Sequence, residues 1–319
     1  MTTAPDQLFQ FGGVPVGGIE AAGLGNVYYV AQTTRYQYSS DFYQSKKGIY
    51  PDGSQRLHNT LQAALTATSS DRNDYVIVFP DYLGYSISST LSWAYKMHVT
   101  LICPSAMAGF DVGCDRGGVI TQATTDTPVI TLTGHHAQVA GLTIVNAASD
   151  AATSASGISA AASCGFYSRI HHNHFEMYTD GATNSPILGN ATSGMAYSRI
   201  WNNKFHNYSG SGDTIAAVIN IAANATAVDV IGNELHTNAN TWTVGIANYS
   251  VQGMTKDNVV TAGVGATVTA AIGANAAETA IIGNRLQVAT GEGLAGGTAD
   301  NTFVDNRDAL NGGAVVIET

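Results

Sequence analysis

Along the second half of the chain, apolar residues recur in short alternating runs rather than at helical spacing. Val218, Ile219 and Ile221, then Val228 and Val230, sit among Asn, Ala, Gly and Thr, as short strands with one face turned inward would. A unit of apolar residue, two variable residues, Asn, one residue and a second apolar residue then repeats. It is Ile170, Asn173 and Phe175, then Ile200, Asn203 and Phe205, then Val230, Asn233 and Leu235. Weaker copies follow, so that Asn173, Asn203, Asn233, Asn258, Asn284 and Asn306 step by 30, 30, 25, 26 and 22 residues. A second series of strands, around Ile158, Leu188, Ile219, Ile246 and Ile272, precedes the matching Asn by 15, 15, 14, 12 and 12 residues. Two β-rich segments per period predict a coil whose successive turns pair in parallel and bury one face. These Gly, Thr and Asn-rich stretches lack sustained 3.6-residue periodicity, which excludes helical repeats.

The repeated Asn has a structural explanation. Asn tolerates the left-handed backbone conformation, and its amide can satisfy backbone groups at a tight turn. Stacked along the coil about 4.8 Å apart, such amides can bond one another in a ladder. The six asparagines are therefore expected to be scaffold.

Ahead of the repeats, Pro51 to Trp93 reads as a helix and then strands. Ser54 or Asp52 can cap a helix whose face is Leu57, Leu61, Ala64 and Leu65, followed by a strand from Val76 to Phe79. An open solenoid end exposes core and strand edge, so this helix is expected to cap it. The order Asp-Gly, helix ending QAAL, strand VIVFP, tyrosine-rich turn and strand ISSTL resembles the opening segment of the pectate-lyase-like right-handed parallel β-helices. VTLIC (99 to 103), GGVIT (117 to 121), PVITL (128 to 132) and AGLTIVNAA (140 to 148) fit first rungs of the same superfamily, which is common in phage tailspike-like proteins and polysaccharide-degrading enzymes. The resemblance covers about residues 50 to 310 and implies an all-β, single-stranded right-handed solenoid, while leaving function open. It departs at PDYLG (80 to 84), where the family has a proline-glycine turn, and no family catalytic motif has a counterpart here.

Two regions follow: a leader or attachment segment, 1–50, and the parallel β-helix, 51–319. The glycine-rich start FQFGGVPVGG is expected to lack order in isolation. It is held either by another subunit or by folding back on the chain itself. The first residues have no basic n-region and no apolar h-region, so no secretory signal is read there. No apolar run approaches the roughly 20 residues that cross a bilayer.

Composition narrows the partners. Charged residues are 11% of the chain and the net charge is −10, the opposite of the basic footprint that phosphate backbones require. Nucleic acid and membrane are therefore not expected. Cys103, Cys114 and Cys164 have neither disulfide nor metal-ligand spacing. His135 with His136, and His171, His172 with His174, form no ligand pair on a helix, so no metal or other cofactor is predicted. GSG (210 to 212) and GEGLAGG (291 to 297) lack the strand-to-helix setting of a phosphate loop and read as turns.

A sugar-cleaving site would need paired carboxylates on one outer face. Aligning rungs on their asparagines places His174, Lys204, Glu234, Val259, Arg285 and Arg307 in one column and Glu176, His206 and His236 in another. The candidate catalytic group is thus Glu176, Glu234, His206 and His236, with Asp180 from a loop. Trp201, Tyr178, Tyr208 and Trp242 are the candidate sugar-stacking residues. A mixed column of His, Lys and Glu is more often a solvated face than an acid–base pair, so a non-enzymatic role is favoured. The expectation is a structural protein of a tailed-bacteriophage virion, as capsid decoration or spike. By resemblance it is a homotrimer in contact with other virion proteins such as the capsid protein, with surface glycans as further partners. The alternatives are a polysaccharide hydrolase or lyase, such as a phage depolymerase, and glycan binding without cleavage.

Overall fold

The computed structural model describes residues 9–11, 14–16, 25–32, 48–50, 53–79, 84–93, 100–103, 118–124, 127–146, 156–177, 185–189, 192–207, 214–238, 241–263, 265–273, 279–288, 292–295 and 302–308. The chain is an all-β parallel solenoid. Each turn visits three sheets in the same order, as in Ile158–Ala160, Arg169–His171 and His174–Met177, before the next turn opens at Ile187–Leu188. Among the described residues the first sheet has 8 strands, the second 11 and the third 9. Every strand pair within them is parallel.

Register follows from burial. One residue of each short strand points inward, and its counterpart on the next turn lies directly over it. The third sheet stacks Ile144, Phe175, Phe205, Leu235, Val260 and Leu286 in this way, with the Phe175 and Phe205 rings parallel at 4.7 Å. The second stacks Val139, Ile170, Ile200 and Val230. A slip of one residue would turn each of these side chains to solvent. In the first sheet the inward column runs Ile158, Ile187, Ile219, Ile246 and Ile272. The expected member Leu188 is one residue out of phase: it pairs with Ser159 and Asn220 and is only half-buried.

The second sheet extends upstream of residue 51. Val27–Val30, from the segment counted with the leader, pairs in parallel with Tyr75–Val78 and with Leu57–His58 in the second sheet. It is tied down by polar groups as well. The Tyr50 hydroxyl accepts from Val27 N and donates to Val27 O, both at 2.7 Å. Buried Asp74 accepts from Asn26 N and Ser69 N at 2.7 Å and from both ends of the Arg72 guanidinium. Ahead of it Phe9–Phe11 and Val14–Val16 form an antiparallel hairpin, where no order was expected in isolation. Two glycines separate these strands, the composition that a two-residue hairpin loop favours.

Helix α1, Leu61–Ala67, buries Leu61, Ala64 and Leu65 in the solenoid core. Its N-cap is Thr60, whose hydroxyl accepts from Ala63 N, and not Ser54 or Asp52. Leu57 is drawn out of the expected helical face because it pairs with Tyr29 in the sheet. No helix among the described residues is long and apolar enough to cross a membrane.

Candidate functional site

The tight turn from the second sheet to the third holds the repeated asparagines. Asn173, Asn203, Asn233, Asn258, Asn284 and Asn306 are all buried. Both the backbone N and the side-chain Nδ2 of each donate to Oδ1 of the next, at 2.8 to 3.1 Å. Each Nδ2 also donates to a carbonyl one turn back, from Val139 to Ile281. The left-handed conformation belongs to the residue before each Asn, not to the Asn itself. His172, Asn202, Gly232, Asp257, Gly283 and Asp305 have φ between 52° and 67°. The reason is division of labour: one residue reverses the chain, leaving the next in ordinary backbone with its amide aimed along the axis.

The outward face of the third sheet carries the candidate catalytic residues. His174, Lys204, Glu234, Val259, Arg285 and Arg307 are register neighbours, as are Glu176, His206 and His236. The two glutamates do not come together. Two turns and two positions along the strand separate them, a backbone offset of about 12 Å from ordinary sheet spacings. Glycosidase carboxyl groups cooperate across one bond about 5 to 9.5 Å apart, whereas here each carboxylate is turned to a neighbour of its own. Glu234 instead lies 3.6 Å from Lys204 Nζ, and Glu176 lies 3.9 Å from His174 Nδ1. His174 Nε2 is 3.3 Å from His206 Nδ1, and His236 Nε2 is 2.7 Å from Asn238 Oδ1. Burial first, and then the charges of His174, His236 and Lys204, lower the His206 pKa against the opposing pull of Glu176. Asp180, Tyr178 and Tyr208 lie outside the described residues.

Of the candidate sugar-stacking residues, Trp242 is 1% exposed. It stands in an inward column between Ile215 and Val268 and presents no face to solvent. It shares strand parity with Ile246, the signal that marks it as core. Trp201 is half-buried, with one face stacked on His171 at 4.1 Å and the Arg199 guanidinium 5.3 Å from its ring centroid. Gln138 donates to His171 Nε2 at 2.9 Å, which leaves the His171 proton on Nδ1, 2.9 Å from His172 Nδ1. Burial, then the neighbouring charges of His172 and Arg169, lowers the His171 pKa to about 3. Among the described residues no three His, Cys, Asp or Glu side chains converge on a metal position. Cys103 and Cys164 are buried free thiols, and burial pushes the Cys164 pKa up. Cys114 lies outside the described residues.

A column that sequence spacing did not single out lies at the turn into the second sheet. His136, Tyr167, Tyr197, Ala227 and Gln252 each stand two positions before successive strands and have positive φ. Their rings stack, His136 on Tyr167 at 4.7 Å and Tyr167 on Tyr197 at 5.1 Å, while Tyr167 and Tyr197 remain about half exposed. Compared with protein-family models and with curated proteins, the sequence matches none.

Proposed function

We propose that the chain is a non-enzymatic structural protein of a tailed-bacteriophage virion, a capsid decoration or spike that acts as a rigid rod. The observation that carries this reading is the asparagine ladder. Five consecutive amide-to-amide bonds run through six turns, so the tightest turn of the coil satisfies itself and offers nothing to a substrate. A solenoid in which each turn is hydrogen-bonded to both neighbours resists local opening, which suits a particle exposed to protease and shear. The engagement of Glu176 with His174 and of Glu234 with Lys204, rather than with each other, supports the non-enzymatic part of the reading. The resemblance of its opening segment to tailspike-like β-helices supports the virion part. Within the same proposal the coil is right-handed, as strand–crossover–strand connections in one parallel sheet nearly always are. Helix α1 closes its first turn. Three copies associate about a closed axis and contact the capsid or another virion protein.

Antibody labelling of purified phage particles from the sample that supplied the sequence tests this directly. Label over the head or at the tail tip is the expected result, and particles that carry no label overturn it. A Glu176→Gln, Glu234→Gln double variant should appear on particles at the wild-type level, and light scattering of the purified chain should give three times the monomer mass.

A further inference from the structure

The second sheet carries a groove beside the aromatic column. Its floor is the register column Tyr75, Thr100, Gln138, Arg169 and Arg199. Its wall is Asn73, His136, Tyr167 and Tyr197, and it encloses about 520 Å³. Four steps of sheet spacing make the floor about 19 Å long. Among the described residues no carboxylate lines it. Arg169 and Arg199 lie directly opposite each other, an arrangement of like charges that costs stability when nothing neutralises it. No salt bridge among the described residues engages either guanidinium. Asp229 follows Arg199 in register and lies within its electrostatic reach, the Arg199 charge lowering a carboxyl pKa that burial raises, but the two do not close to a salt bridge.

From this geometry we infer that the groove binds an acidic oligosaccharide, with a sugar carboxylate held between Arg169 and Arg199. Three features select that class. The guanidinium fork matches a carboxylate in two parallel hydrogen bonds. The amides of Asn73 and Gln138, the Thr100 hydroxyl and the tyrosine phenols suit a ligand rich in hydroxyl groups. The ring stack stops at Tyr197, because the next residue in its column is Ala227, so the last ring has no aromatic neighbour on that side and a sugar face can cover it. A nucleic acid strand would need many more cations than two on a chain of net charge −10. The arginine pair alone does not make the site. Arg285 and Arg307 are also register neighbours but stand on the outward face of the third sheet, away from this groove, and so serve as the control. The inference does not depend on the virion reading.

The test is calorimetric titration of the full chain with uronate tetrasaccharides and with the same tetrasaccharides after reduction of their carboxyl groups. The expected result is binding of the uronates only, weakening with salt, about tenfold or more weaker in an Arg169→Ala, Arg199→Ala double variant. The Arg285→Ala, Arg307→Ala double variant makes the same change of net charge and should bind as the wild type does. Thermal melts of both variants separate lost binding from lost fold. Absence of uronate binding, equal binding of the reduced sugars, or an equal loss in the Arg285/Arg307 variant each overturns the proposal.

Discussion

Each turn of the solenoid makes two comparable reversals, one entering the second sheet and one leaving it, and both use a residue at positive φ. On leaving, the left-handed residue is followed by a buried Asn whose amide bonds up and down the coil. On entering, the left-handed residue is itself the outward side chain, a ring at His136, Tyr167 and Tyr197 and then Ala227 and Gln252. In the first turn the Asn column is uniform through six copies, buried and closed, with the left-handed residue ahead of it at the surface; the column of the second changes from ring to methyl to amide and stays open. A side chain that completes the backbone hydrogen bonding must recur on every turn, because its neighbours supply its partners. A side chain that points to water carries no such constraint, and there the chain has room for recognition.

The largest effect should come from breaking the closed turn in its middle. Asn203→Ala removes acceptors from Asn173 N and Nδ2 and donors to Ile170 O and Asn233 Oδ1. Several buried groups are left unsatisfied, so a loss of about 3 to 5 kcal/mol is expected. Asn306→Ala, at the last described rung, removes the acceptor from Asn284 N and Nδ2 and the donor to Ile281 O. At 8% exposure water can replace part of them, so a loss of about 1 to 2 kcal/mol is expected. Denaturant melts of the two variants measure the difference. Equal losses would mean that the ladder is a row of independent caps.

Next in size is a pH effect at the edge of the closed turn. His171 has its pKa lowered to about 3 by burial, while an unfolded histidine titrates near 6.5. Below about pH 6.5 the unfolded chain therefore takes up a proton that the folded chain refuses. The stability it contributes is full above that pH and falls as pH drops toward 3. Between about pH 7 and about pH 4 the decrease from this group is up to about 3 kcal/mol. In a His171→Gln variant the stability–pH curve should be flatter over that window; a curve of unchanged slope would assign the acid sensitivity to other groups.

Smaller still is the outward stack. Tyr167 has ring neighbours on both sides and Tyr197 on one. Tyr167→Ala should cost about 1 kcal/mol or slightly more and Tyr197→Ala about half as much, by chemical denaturation. A larger loss than in Asn203→Ala would reverse the contrast between the two turns.

The two turns also differ in how far they can be read from sequence. The ladder is legible because Asn recurs at nearly constant steps and its position is locked to the inward residue two places on, as in Asn203 and Phe205. What precedes it is equally informative: His172, Asn202, Gly232, Asp257, Gly283 and Asp305 are mostly residue types that tolerate positive φ, and this dipeptide pattern marks the reversal one residue earlier than the Asn. The groove is different. Tyr75, Thr100, Gln138, Arg169 and Arg199 are separated by 25, 38, 31 and 30 residues, because the lengths between strands vary in the first turns, and no shared residue type ties them together. Only the pairing of strands aligns them. Trp242 shows a third case, where strand parity with Ile246 outweighs the preference of a large aromatic for a sugar-facing role.

The finest probe of the open turn is Ala227, the position at which the ring stack stops. Its φ of 49° places a Cβ in the left-handed region, at a cost of roughly 1 to 2 kcal/mol. Glycine would remove that cost but adds backbone freedom to the unfolded chain, worth roughly 0.5 to 1 kcal/mol against folding. Ala227→Gly should therefore raise stability by about 0.5 kcal/mol, seen as a higher denaturation midpoint with an unchanged slope. The same substitution at Asn202, in the closed turn at φ 52°, should gain less, because Asn already tolerates that conformation. If both gain equally, the two reversals carry the same backbone strain, and the contrast between them lies wholly in what their side chains touch.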